Sequence, residues 1–465
     1  MRKVFLKNLG LIAVIIAAPI SGQNEPARLV MSETGPYSIV ETSEWRQYTN
    51  KTYAGQVRHT VKASIMPKPA DQNAKNALLY QGNFFVFEDT IKSGQKTAQA
   101  VDAIVPVSFQ INENGSIKID NDQGFPTLRG FPTFPSQQVM PGAKWRAPGA
   151  RAVDPLNSGQ PAVIPFTADY EYKGKEIYKG ILVHRIDATY STQYQNTPTS
   201  PQDFTRVQGS HKVFILIRVD DGLPLLINDS LDETYSWADG TTRQFKGFTL
   251  TFGARIVPMD RVEVINSLGN TLKIEKLPDP KVNPPPIPAP AAPPPPAPVP
   301  RPAPPPRVVE PLGPALDPVT VILSEADDQP LRDKNTINTA GLQDIDMATV
   351  PEGIRLTIKD IRFAPDSADF LPTEKTRLDL LAEALKQIPD RSFLVEGHTA
   401  ATGRPAGEME LSIERAKRMV DELANRGIGP ERFIYKGWGG TKPIGDNATN
   451  PGRAQNRRVE ITILE

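Results

Sequence analysis

At 465 residues the chain is long enough for about two to four domains of the usual size. Its 53 Lys+Arg balance 53 Asp+Glu, and a formal charge of zero excludes binding of nucleic acid through bulk positive charge. With no cysteine and four scattered histidines (His59, His184, His211, His398), the sequence has no thiolate metal site, cysteine nucleophile, disulfide, lipid-bearing cysteine or local metal motif, and it implies no cofactor.

The first predicted element is a leader. Met1–Gly22 carries a basic start (Arg2, Lys3, Lys7) and an apolar run, Leu9–Ile20, too short to span a bilayer as a helix, which needs about twenty residues. It reads as a secretory signal peptide over 1–22, with an uncleaved anchor as the alternative. Both place the folded parts outside the cytoplasm.

Residues 23–277 read as mainly antiparallel β, a half-barrel or a sandwich. Apolar runs recur at Ala168/Tyr170/Tyr172, Val213–Ile217, Leu225–Ile227 and Phe248/Leu250/Phe252, separated by hairpin signals at Asn114-Gly115, Asp221-Gly222 and Asp239-Gly240. No long period of 3.6 residues competes. A membrane barrel needs strands with an unbroken apolar outer face; Gly174–Ser191 instead carries charges on both parities. Val139–Gly149 and the Tyr-Lys-Gly units resemble curved-sheet periplasmic domains of the lipoprotein-carrier type, which implies a concave face for an acyl chain or a peptide. A plain structural core is the other reading. His184 and His211 sit in strand-like runs and read as satisfied core or surface residues, and no Ser/His/Asp spacing supports catalysis.

Residues 278–318 are a proline-rich linker, with the densest run at Pro284–Pro306. Prolines have no amide donor and a fixed φ, so the tract favours extended polyproline II, about 90 Å over 278–306. The expectation is two blocks held apart by a stiff spacer, with a docking peptide for SH3-like domains as the alternative. A lead-in, 319–352, follows it.

From 353 to 465 strands and helices alternate. Ile354–Ile361, Phe393–Glu396, Phe433–Gly437 and Val459–Leu464 read as strands. Thr373–Ile388 reads as a helix capped by Thr373, with Leu378, Leu381, Leu385 and Ile388 on one face, and Leu411–Arg426 as a helix opened by Ser412 and closed by Gly427. Two helices on one face of a mixed sheet make an α+β sandwich.

Within this block Phe363–Phe370 (FAPDSADF), Val395–Thr399 (VEGHT), Leu411–Ala416 (LSIERA), Gly427–Arg432 (GIGPER) and Gly452–Ile461 (GRAQNRRVEI) occur in an order that resembles the OmpA-like C-terminal domain family. The resemblance implies non-covalent binding of peptidoglycan in the cell envelope, through the zwitterionic end of the stem peptide's diamino acid. Such a ligand needs an acceptor for its ammonium and a guanidinium fork for its carboxylate. Carried over, the fork is Arg415, helped by Arg457, with Thr399 in the strand-loop. The family's Asp is Ala400 here, and its Asn is Glu408. Three outcomes follow from those departures: lost binding, a carboxylate restored by Glu408, or a wall with a different diamino acid. His398 reads as framework.

The sequence thus predicts an envelope tether, periplasmic and associated with outer membrane or wall, that catalyses no reaction. The competing reading is a carrier whose β domain holds a lipid or protein while its OmpA-like module serves only for structure or interaction.

Overall fold

The computed structural model describes residues 25–32, 35–68, 77–89, 98–195, 203–280, 345–363, 367–388 and 390–465. The predicted leader and nearly all of the proline-rich tract lie outside the described residues.

The N-terminal block is one antiparallel sheet of twelve strands. In chain order these are β1 (Tyr37–Thr49), β2 (Thr52–Pro67), β3 (Ala77–Asp89), β5 (Ala103–Asn112), β6 (Ile117–Ile119), β7 (Leu128–Arg129), β8 (Lys144–Val153), β9 (Ala162–Tyr178), β10 (Ile181–Gln195), β11 (Phe204–Arg218), β12 (Pro224–Trp237) and β13 (Thr242–Arg255); the two-residue β4 (Gln99–Ala100) joins the other sheet. The order is β6-β5-β3-β2-β1-β13-β12-β11-β10-β9-β8-β7. The first and last long strands pair along their full length, from Tyr37 opposite Arg255 to Thr49 opposite Arg243. The sheet therefore curls into a nearly closed, barrel-like form with its edges at β6 and β7, more closed than the expected half-barrel.

Local chemistry explains the meander. The three predicted hairpins form, with Gly115, Gly222 and Gly240 at φ of 83°, 76° and 85°. Period-2 patterning sets the faces: along β9, Ile164, Phe166, Ala168, Tyr170 and Tyr172 point inward. Outward, Arg146 pairs with Asp169 at 2.7 Å and Lys173 with Glu171 at 2.6 Å. On β13 the apolar parity of Phe248, Leu250 and Phe252 is not the one turned to the interior. Phe252 is exposed, and Thr249 points inward to share a 2.9 Å hydrogen bond with Ser43.

The interior is filled. Leu29 and Met31 from the leading segment, and Phe131 and Phe134 from the β7–β8 loop, pack among Phe166, Tyr170 and Tyr190. Beside them lies a buried ionic network. His211 Nδ1 stands 3.0 Å from Asp229, and its Nε2 3.3 Å from Glu233. Arg151 donates to Glu233 at 3.0 Å, Tyr235 to Glu233 at 2.7 Å and Tyr190 to Asp229 at 2.8 Å. Burial alone would push the Glu233 carboxyl up, but Arg151, His211 and Tyr235 outweigh it and hold it at about 2. His184 is likewise satisfied, 2.9 Å from the Tyr172 hydroxyl. Both histidines are core residues.

The C-terminal sheet runs β14 (Ile345–Val350), β15 (Gly353–Lys359), β18 (Arg458–Leu464), β16 (Phe393–Gly397), β17 (Phe433–Gly437) and finally β4. β16 and β17 are parallel, and β14, β15, β18 and β16 pair antiparallel. Helices α2 (Lys375–Lys386) and α3 (Pro405–Asn425) cover one face, and a short α4 (Asn450–Asn456) precedes β18. Leu378, Leu381, Leu385 and Ile388 are buried as the period predicts, and Gly427 follows α3 at φ 96°.

Several expectations are corrected. α3 begins at Pro405 rather than at Ser412, and Thr373 lies in a 3₁₀ turn with no side-chain cap. A further helix, α1 (Arg261–Leu272), follows β13, and its Met259 lead-in, Ile265, Leu268 and Leu272 are buried in the same core as Leu381, Leu385 and Ile358. Three helices, one of them supplied by the N-terminal block, lie on this core. The two blocks are also in contact, contrary to the expectation of blocks held apart: Phe85, Phe87 and Val101 pack on Leu394, Ile434 and Leu464. An open cleft of about 660 Å³ flanks this seam, lined by Ile39, Ala63, Ile256 and Leu464 among others.

Replacing Arg151 by alanine leaves Glu233 buried without its guanidinium, and the expected cost is about 3–5 kcal/mol. Urea unfolding followed by tryptophan fluorescence measures it; a loss under 1 kcal/mol would show that the network does not depend on Arg151.

Candidate functional site

The site forms where β16 ends against the N-terminal half of α3. Two glycines permit the approach. A Cβ on Gly397 would stand 2.1 Å from the Ser412 carbonyl oxygen, and one on Gly437 2.3 Å from Ser412 Oγ. Ser412, fully buried, donates to the Met409 carbonyl at 2.7 Å and accepts from the Gly439 amide at 2.8 Å. The helix is thereby fixed to both parallel strands. Glu408, Ser412 and Arg415 then share one helix face, at spacings of four and three residues.

Glu408 organises the loop that precedes its own helix. Its Oε1 accepts from the Thr402 amide at 2.6 Å, the Thr402 hydroxyl at 3.0 Å and the Arg404 amide at 3.1 Å. Partial burial pushes this carboxyl up, yet the Thr402, Arg404 and Gly403 donors prevail and keep it below the usual carboxylate range. Its other oxygen faces the Ala400–Ala401 side of the loop: a methyl added at Gly440 would lie 2.9 Å from both Glu408 Oε2 and Ala401 Cβ.

Arg415 is 8% exposed. Its guanidinium lies 4.5 Å from the centre of the Phe363 ring, and its Nε donates to the Ser367 carbonyl at 3.3 Å. Cation–π contact and this bond orient the fork. Phe363 in turn stacks on Phe370, 4.6 Å between centroids.

Thr399 and Ala400 form the floor. The Thr399 amide donates to Gly439 at 3.0 Å, while its hydroxyl is buried without a protein partner; Ala400 is 5% exposed. On the far side Asn456 ties the region together. It accepts from the Ile444 and Gly445 amides at 2.8 Å and donates to Asn447 Oδ1 at 2.8 Å, which also accepts from the Ala401 amide at 3.1 Å. Arg457, next in sequence, is exposed at the end of α4. Arg453 braces the loop through the Asn447 carbonyl at 2.7 Å. Arg458 turns to the opposite face of the sheet, donating to Glu460 at 2.7 Å and the Lys442 carbonyl at 3.1 Å.

The structure thus brings Thr399, Ala400 and Glu408 together around one loop, sets Arg415 one helical turn beyond Ser412, and places Arg457 at the end of the tie running through Asn456. Sequence reasoning missed Phe363 and Ser367 as supports of Arg415, and Asn456 as the bracket. Phe363 and Asn456 both lie in quoted motifs, which was the available signal.

His398, 2% exposed, sits just behind the floor, with both ring nitrogens lacking hydrogen-bond partners. Burial is the main cause that holds its pKa down, to about 3; Arg458 and Lys442 act the same way, and Glu460 opposes them. The ring is neutral and buried, but a hydrogen-bonding framework role is not what it plays: it fills space without a hydrogen-bond partner.

The fold and this site define a class: a curled β block joined to a small α/β module that gathers a buried guanidinium, a carboxylate and a loop floor at one end of its sheet. Residues 362–457 match the OmpA family model, and the C-terminal region is an OmpA-family domain. Similar proteins include the peptidoglycan-binding protein ArfA of Mycobacterium tuberculosis, 39% identical over 103 residues, which are 22% of this chain and 32% of ArfA. Outer membrane porin F of Pseudomonas aeruginosa is 33% identical over 156 residues, 32% of this chain and 44% of the porin. Outer membrane protein A of Bordetella avium is 36% identical over 105 residues, 23% of this chain and 54% of that protein. The chain spans about a third to about half of the length of these relatives.

The His398 shift has a defined pH sign. Its folded pKa lies below the unfolded value of about 6.5, so its contribution is complete above pH 6.5 and is lost as pH falls toward 3. The stability gap between the native chain and His398→Phe should therefore narrow between pH 7.5 and pH 4.5 in urea titrations. An equal gap at both values would show that the ring is not held neutral.

Proposed function

We propose that the protein is a cell-envelope tether whose OmpA-family module binds the stem peptide of peptidoglycan through a modified diamino-acid site. The observation that carries this reading is Arg415, nine-tenths buried yet held by Phe363 and Ser367 on the helix face that also bears Glu408. A guanidinium fixed in that way is suited to a carboxylate. Relatives named for peptidoglycan binding and for the outer membrane support the compartment and the ligand class.

The acceptor for the ammonium is Glu408. Ala400 supplies no charge, and the missing Asp would cost about 1.5–3 kcal/mol if nothing replaced it, roughly ten- to hundred-fold in affinity. Glu408 is held ionised by the loop amides, and its Oε2 lies on the Gly440 side of the loop near Ala401, the neighbour of Ala400. Of the three outcomes open to the altered site, the geometry favours a restored carboxylate with shifted position. Arg457 adds a second, solvent-facing charge.

The carrier reading is disfavoured by the packing. Phe131, Phe166 and Tyr190 stack inside the barrel with ring centroids 4.0–5.8 Å apart, and the 660 Å³ cleft lies between the blocks rather than in that interior. The β block acts by position, and the proposed mechanism is tethering without a chemical step. The place of action is the periplasm, at the wall.

The full chain should sediment with the host's own sacculi, and Arg415→Ala should weaken this at least about ten-fold, one lost charge-assisted bond. If native sacculi do not retain the unmodified chain, wall binding is wrong. Ala400→Asp places a second acid beside Glu408 and should leave affinity for diaminopimelate-type wall nearly unchanged; a gain of about ten-fold or more in the same assay would show that Glu408 does not replace the absent Asp.

A further inference from the structure

We infer that the β block and the OmpA-family module form one composite body that holds together without the chain segment between them, so that the length of residues 281–344 does not set the separation of the two. The partner fitted by the exposed edge of the module is the protein's own β block. This goes beyond wall binding and does not depend on it.

Three kinds of contact build the seam. First, β4 extends the module's sheet: Gln99 and Ala100 pair in parallel with Ile434 and Tyr435, and the Val101 amide donates to the Tyr435 carbonyl at 2.8 Å. Lys436 Nζ crosses back to the Asp102 carbonyl at 2.7 Å. An edge strand with unpaired donors and acceptors is a surface that seeks a partner strand, and here the chain supplies it. Second, the apolar face behind this edge is covered. Phe85, Phe87 and Val101 cover Leu394, Ile434 and Leu464, each under 10% exposed. Third, α1 completes the module's helical layer from the N-terminal side of the proline tract. Leu268 and Leu272 are fully buried against the module, Ser267 donates to Gln387 at 2.7 Å, and Arg261 is paired with Glu465. Arg391 reaches the Val257 carbonyl at 2.8 Å, and Asn83 the Glu352 carboxylate at 2.5 Å.

The two ends of the intervening segment reveal its role. The Thr349 hydroxyl donates to the Asp279 carbonyl at 3.3 Å, so the chain leaves the body and re-enters it at one place. Ile345 is four strand residues from Thr349, about 13 Å. Residues 281–344 could reach about 200 Å if extended, far beyond the gap. A segment that departs and returns at neighbouring points does not set the separation of the parts it connects. The β block is therefore held at a fixed attitude to the wall site by the seam.

Two measurements test this on the full chain. A protease recognition sequence is inserted between Val309 and Glu310 and cleaved in the purified protein. The two pieces are expected to co-elute in gel filtration at the volume of the uncut chain, at sub-micromolar concentration; separate elution overturns the inference. In a second variant, residues 281–344 are replaced by a Gly/Ser connector of about ten residues, enough to bridge the gap. The expected result is a single cooperative thermal transition with Tm equal to or above that of the native chain. A lower Tm, or two separated transitions, would mean that the segment keeps the blocks apart and that the seam does not form.

Discussion

The seating of Ser412 between two glycines is the constraint on which the candidate site depends. Parallel strands β16 and β17 end beneath α3, and only residues without a Cβ at Gly397 and Gly437 let the helix backbone come so close. Once seated, Ser412 spends both hydrogen-bonding functions, one on its own helix and one on the Gly439 amide. The rotation of α3 about its axis is then fixed. Glu408 and Arg415 follow from that rotation, because residues four and three positions away must share the Ser412 face. Had the helix stood an ångström or two farther out, Arg415 would lose its contact with Phe363 and the loop at Thr399 would lose its cover.

The same packing explains why the start of α3 was misread. A Ser before an apolar run is a common cap signal, since its hydroxyl satisfies an orphan amide. Here the first turn opens at Pro405, where the missing amide costs nothing, and the capping work passes to Glu408, whose carboxylate reaches back to the Thr402 and Arg404 amides. Ser412 is used for tertiary contact. The resemblance located the Arg415, Arg457 and Thr399 positions, but the order of motifs holds no information about which atom caps which amide.

The β block was legible where periodicity and turn chemistry agree. Asp221-Gly222 and Asp239-Gly240 demand positive φ and obtain it, and β9 alternates from Ala162 to Tyr172. It was illegible where a residue's partner is remote. Thr249 faces inward and meets the hydroxyl of Ser43, far off in sequence, while Leu250 packs on the other face against Leu216 and Leu226, an assignment the alternation alone does not make. α1 was missed for a related reason. Ile265, Leu268 and Leu272 make a narrow apolar stripe whose burial depends on a core assembled from residues beyond 345. A two-residue strand such as β4 has no sequence signal at all; it exists because β17 offers an edge.

The seam bears on what a tether can do. In a two-block protein joined by a spacer, tension between envelope layers passes through the spacer, and the folded parts rotate freely about it. When the chain between the parts can reach far more than the gap it bridges, that path carries only a weak entropic pull until the contacts fail. Load then passes through β4 on β17, through the aromatic cover of Phe85 and Phe87, and through α1 on the module's core. These contacts lie on the β4 edge, the back face of the sheet and the helix layer, whereas Glu408 and Arg415 present their groups at the end of β16. Under the proposed function, a module bound to wall would retain the β block without the ligand and the seam competing for the same residues, and the seam would set the attitude of the β block to that ligand.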